Sequence, residues 1–177
     1  MIGTWFKRRL RSFAADEGGS VTVEFLFALP LFTWVTFSSV DMGVMLSRYM
    51  MLERALDHNV RKLRLGVPMT YDELLTNICI DAAIIQECAT NLVLELRPIN
   101  TATWNIPEGS APCYNRQEDI QPVTEFEAGQ ENEIMLVRAC IHIDPLLTGI
   151  GIGEVISDTF GGEFTVKTAS VFVNEPN

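Results

Sequence analysis

Glu24 is the residue whose type and place first suggest chemistry. It stands near the start of an apolar run that reaches Val40, preceded by Gly19 and Ser20, followed by Phe25, and interrupted by Pro30. A carboxylate at membrane depth costs at least ~2.5 kcal/mol on insertion scales, so it calls for a functional partner. The position lowers that cost, because the unpaired amides and the dipole of a helix's first turn favour an anion there. Chemistry of this kind is ion pairing, a charge kept in order to meet another charge.

The four cysteines, Cys79, Cys88, Cys113 and Cys140, are a second set. In an oxidising compartment they would form two disulfides, and three connectivities are open. On one unbroken helix Cys79 and Cys88, nine residues apart, would lie about 180° from each other. Each is therefore expected to pair elsewhere unless the helix breaks between them.

Metal chemistry is poorly supported. There is no Cys-x-x-Cys, and His58 and His142 are far apart, with Cys140-x-His142 the only close Cys/His spacing. His142 reads as a surface residue at a strand end. Ser38, Ser39, Ser47 and Ser170 have no activating neighbours in the sequence. Gly149-x-Gly151-x-Gly153 departs from the glycine spacing of a dinucleotide site. No catalytic, cofactor-binding or metal residues are assigned, and neither an enzyme nor a small-molecule substrate is expected.

The elements that must carry these residues follow from periodicity. Residues 1–19 hold Lys7, Arg8, Arg9 and Arg11 before Asp16 and Glu17, a basic leader. One helix is expected from Ser20 to about Leu65, roughly 69 Å long at 1.5 Å per residue. Its first part, residues 20–40, has the length of a bilayer crossing. Pro30 within it removes one backbone hydrogen bond and should kink or loosen the helix. The second part, within residues 41–66, carries Tyr49, Leu52, Leu56, Val60 and Leu63 at spacings of three and four, an amphipathic stripe. Arg61, Lys62 and Arg64 suit its C-terminus, and Gly66 and Pro68 stop it.

Residues 67–177 should form an exported α+β domain. Thr70-Tyr71-Asp72-Glu73 fits a capping box opening a helix to about Cys88 or Ala89. Leu74, Leu75, Ile78, Ala82 and Ile85 would be buried, with Asp81 and Glu87 facing water. Strands are expected at Leu92 to Leu96, ended by Pro98, at Glu133 to Ile143, and at about Phe164 to Val173. Within Glu133 to Ile143 the core face would hold Met135, Val137, Ala139, Ile141 and Ile143. The class is α+β: a long helix, a second helix and a small antiparallel sheet of about three strands.

Between the first two strands lies a long acidic connection, Asn100 to Gln130. Residues 108–133 carry seven acidic side chains against Arg116 alone. They lack the ordered spacing of a calcium loop, so a solvated acidic loop is expected. The net charge is -10, and beyond residue 19 nine basic face 21 acidic side chains. That balance does not suit nucleic acid.

With the leader uncut at any small-x-small site after Val40, Gly19-Ser20-Val21-Thr22-Val23-Glu24-Phe25 through Leu29-Pro30 resembles the processing region of TadE-like minor pseudopilins. Phe25 stands where the pattern usually has tyrosine. The ending Phe172-Val173-Asn174-Glu175-Pro176 is similar to the Asn-Glu-Pro endings of the same family. The resemblance implies a type IV pilin-like fold and cleavage by a prepilin peptidase after Gly19. It also implies other pseudopilins or the major pilin as partners, and a part in building a Tad (Flp) pilus that serves adhesion. The implied placement is a single pass through the inner membrane, N-terminus cytoplasmic and C-terminal domain periplasmic, with incorporation into an extracellular pilus as a further stage. The basic leader supports that orientation. The competing reading is a single-pass anchor, never processed, that holds an exported binding domain.

Overall fold

A computed structural model describes residues 20–104, 106, 111–114, 123–146, 152–153, 155 and 164–176. Gly19 and the leader, Arg116 with Glu108, Glu118 and Asp119, and the glycines Gly149 and Gly151 lie outside the described residues.

Helix α1 spans Ser20–Arg64 as one element of 45 residues with Pro30 inside it. Polar side chains along its apolar part satisfy themselves on the preceding turn. Thr33 Oγ1 donates to the carbonyls of Leu29 and Pro30, Thr36 to Phe32 and Ser39 to Val35, all at 2.8–3.0 Å. The helix ends in a Schellman motif. Gly66 adopts φ 76°, its N–H reaches the Leu63 carbonyl at 3.0 Å, and the Val67 N–H reaches Lys62 at 3.2 Å.

Helix α2, Tyr71–Asp81, opens on the expected capping box: the Glu73 N–H donates to Thr70 Oγ1, and the Thr70 N–H donates to the Glu73 carboxylate at 2.9 Å. The Thr70 N–H, and after it the Thr70 hydroxyl donating at 3.0 Å, hold the Glu73 carboxyl below its usual value. The helix stops at Asp81, well short of the expected Cys88. Residues 82–87 form a turn in which Glu87 takes φ 51°, and a short helix α3, Cys88–Asn91, follows. The disulfide Cys79–Cys88 explains the break. Its Cα atoms are 5.6 Å apart, whereas nine residues of continuous helix would separate them by about 13.5 Å. The expectation that each of these cysteines pairs elsewhere is thus corrected by the very condition attached to it.

Three strands form one antiparallel sheet in the order β1-β2-β3: β1 Val93–Ile99, β2 Ile134–Ile143 and β3 Phe164–Val173. Strand β1 runs past Pro98, which was expected to end it. Leu96 turns its N–H and C=O outward, to Glu125 at 2.9 Å and Glu127 at 2.8 Å. Pro98, two residues on, has its nitrogen on the same outer edge and interrupts no ladder bond.

Helices α1 and α2 cover one face of the sheet. Leu52, Leu56, Val60 and Leu63 of α1 meet Leu74, Ile78 and Ala82, and beneath them lie Leu94, Leu96, Met135, Val137, Ala139, Ile141 and Ile143. Tyr49 and Leu75 pack against this core partly buried. Burying one such side chain contributes about 1.5–3 kcal/mol, which makes this layer the main stabilising term. On the opposite face Glu95 and Arg138 stand directly across β1 and β2, and Arg138 Nε donates to Glu95 Oε2 at 2.7 Å. The second disulfide, Cys113–Cys140, ties the long connection to that face. His142 is buried at 8% exposure rather than on the surface, in the region where the 85–87 turn meets the end of β2.

Candidate functional site

The long helix has two halves with opposite surroundings. From Val21 to Phe37 nearly every side chain is exposed, including Phe27 at 80% and Phe32 at 71%. An 18-residue window here has mean hydropathy 1.6 with only 6% of it buried, so it is not a core helix of the domain. It is a candidate membrane anchor. Glu24, Phe25 and Pro30 are all exposed on it, Glu24 one turn from Ser20, the first residue of the helix. Among the expected processing residues, Ser20, Glu24 and Phe25 therefore share the N-terminal end of α1.

From Ser38 onward the helix docks. Ser38, Asp41, Met45, Arg48, Leu52, Ala55 and Asn59 are all buried, at spacings that alternate three and four. Four of these seven are polar or charged, which is why a stripe drawn from apolar residues begins only at Tyr49. Their 3-4 spacing was the available signal. Each has a docking role or a buried polar atom. Asp41 accepts the Leu146 N–H at 2.9 Å, and Arg48 Nη1 donates to the Asp144 carbonyl at 2.7 Å. Together they hold the chain after β2 against α1. Gly153 is needed beside them, since a Cβ there would fall 2.0 Å from Asp41 Oδ2.

Asn59 is the third. Its amide donates to the Ala55 carbonyl and to Asp81 Oδ2, both at 2.9 Å, and its oxygen accepts from Lys62 Nζ at 3.0 Å. His58 Nδ1 meets the same Asp81 oxygen at 2.7 Å. Asp81, expected to face water, is instead half-buried between the helices. The His58 contact, with Asn59 and Lys62 behind it, holds its carboxyl below the usual value against a smaller opposing effect of burial. Among the described residues no group of three His, Cys, Asp or Glu side chains is placed to hold a metal ion.

The C-terminus closes the far end of α1. Asn174 donates from its amide to the Ala128 and Gln130 carbonyls at 3.1 Å, and the Glu175 N–H caps the Arg64 carbonyl at 3.0 Å. Arg64 Nε returns a bond to Glu175 Oε1 at 2.9 Å. The Asn-Glu part of the ending is thus a clasp between the sheet and the helix terminus.

The apolar free half, the helix start at Ser20 and the docked half coincide with a match to a known family. Residues 19–58 resemble a known family. The family described as TadE-like protein matches this stretch, from the residue before α1 to the beginning of the Asn59 clamp. No curated protein and no solved structure matches the chain. The apolar helix inside this stretch is the candidate membrane anchor.

Proposed function

We propose that this protein is a minor pseudopilin of a Tad-type pilus, stored in the inner membrane and processed by a prepilin peptidase after Gly19. In this reading the N-terminus is cytoplasmic and residues 67–177 are periplasmic. Residues 20–40 cross the bilayer and residues 41–66 carry the helix into the exported part. The protein then takes part in assembling or initiating a pilus used for surface adhesion, beside other pseudopilins or the major pilin.

One observation carries the reading: the TadE-like match opens at Gly19 and the helix opens at Ser20. Cleavage there would leave the whole apolar helix on the mature chain and give Ser20 a free amine. Glu24 then supplies a carboxylate at the exposed end of that helix. A charge pair formed as the helix leaves lipid offsets the cost of burying either group and fixes the register of neighbouring subunits.

The test is the mass and N-terminal sequence of the protein from membranes of cells with and without a prepilin peptidase. A chain beginning at Ser20 only when the peptidase is present supports the reading. Retention of Met1 in both strains overturns it and leaves an unprocessed anchor.

A further inference from the structure

Arg48 is used by the fold at only one edge. Its side chain is buried, with 9% exposure, yet among the described residues its one hydrogen bond is from Nη1 to the Asp144 carbonyl. It lines a cavity of about 290 Å³ between α1, the 85–87 turn and the end of β2. The remaining N–H groups of a guanidinium form a fork suited to the oxygens of a phosphate or carboxylate. Burial strengthens such a contact, because the dielectric is lower than in water.

Three further features of the cavity select among oxyanions. Glu87 lies at the wall, exposed, where among the described residues its carboxylate meets the Asn91 amide at 3.5 Å, and Asp144 lines the same cavity. A carboxylate beside the cation disfavours a purely anionic ligand and favours one with an ammonium group next to its phosphate. Leu146, half exposed, forms an apolar lip. The height also fits. Arg48 is eight residues beyond Val40, about 12 Å of helix, and its side chain leans back toward the N-terminus. Headgroups occupy roughly 5–7 Å on each side of a bilayer's hydrocarbon core.

We propose that this cavity binds the phosphoethanolamine headgroup of a membrane lipid, phosphate on Arg48 and ammonium toward Glu87, with the acyl chains leaving past Leu146. This rests on the reading that residues 20–40 cross the bilayer. Such a lipid would seat the docked half of α1 at a fixed height above the membrane.

The test uses the full chain in detergent micelles, titrated with glycerophosphoethanolamine, glycerophosphoglycerol and inorganic phosphate, while NMR follows the backbone N–H signals of Glu87 and Leu146, which line the cavity and are present in every variant. Saturable binding of the ethanolamine compound, weakened about tenfold or more in Arg48→Met and unchanged in the exposed Arg54→Met, supports the site. Glu87→Gln, an exposed change that spares the fold, should weaken binding of the ethanolamine compound and bind inorganic phosphate equally well or more tightly, since a repelling carboxylate is gone. Equal binding of inorganic phosphate or the glycerol compound overturns the headgroup assignment, and no saturable shift overturns the site. Because micelles test the cavity alone, a separate protease-protection assay in vesicles reports whether the helix inserts. Failure of insertion with headgroup binding intact would sink the membrane reading only.

Discussion

Asn59 shows how much one buried amide can hold. It is fully buried and joins α1 to the end of α2 through Asp81. Replacing it with alanine leaves the Asp81 carboxylate without that donor and removes a bond to Lys62, so Asn59→Ala should destabilise by about 1–3 kcal/mol in denaturant unfolding. Asp81 adds a pH dependence. Its folded value lies below the ordinary 3.8, so its contribution is fully present above that value and is lost as pH falls through the lower folded one. The melting temperature should therefore be insensitive to this group from pH 7 to 5 and fall below about pH 4, with a shallower fall in Asp81→Asn. Equal slopes in both proteins would remove Asp81 from the acid transition. Gly129 is the other sharp point: at φ 66°, a Cβ would come 2.2 Å from Met135 Sδ. Gly129→Ala should cost on the order of 1 kcal/mol or more, and an unchanged melting temperature would refute that. None of these three contacts was legible in the sequence. Asn59 and Asp81 are ordinary polar residues on helices until the helices are placed side by side.

At the scale of elements, much was legible because periodicity reports burial. The 3-4 stripe from Leu52 to Leu63 and the alternation of Met135 to Ile143 describe the two faces that meet in the core. The capping box fixed the start of α2 at its exact residues through chemistry local to four positions. Its end was illegible, since continuing apolar residues Ala82 and Ile85 keep the helical rhythm while the chain turns beneath them. A disulfide nine residues long decides that point, and no local propensity reports it. The two disulfides should differ in worth. Cys113–Cys140 closes 27 residues and Cys79–Cys88 nine, and on a loop-entropy scale the longer adds about 1 kcal/mol more. A Cys113→Ser, Cys140→Ser double variant should also release the acidic connection to protease, whereas the Cys79→Ser, Cys88→Ser pair should leave it protected. Digestion kinetics of the two variants would decide, and the reverse order would contradict the role assigned to the second staple.

For the molecule as a whole, the division of α1 matters more than any single contact. Residues 38–64 are committed to the sheet by the core, the Asp41 and Arg48 contacts and the C-terminal clasp, while residues 21–37 touch little of the described domain. A helix held at one end and exposed along the other is a lever whose exposed half answers to its surroundings, in the proposed function first lipid and then neighbouring helices. The exposed pair of Arg64 with Glu175 should matter little, within about 1 kcal/mol, because solvent screens it. In the proposed function Glu24 belongs to the opposite class, with little effect on the fold and a large one on assembly. Its distance from the docked half means that Glu24→Gln should leave the melting temperature of the domain unchanged. The same change removes a charge from the apolar segment, so insertion should be equal or better. What it takes away is the carboxylate that a processed neighbour's Ser20 amine would meet, and with it the register of one helix on the next. Crosslinking in membranes should then show the inserted, processed Glu24→Gln protein failing to join other pilus subunits. If it assembles as well as the parent chain, the carboxylate is a tolerated interfacial charge and the alignment of subunits must come from the docked half of the helix.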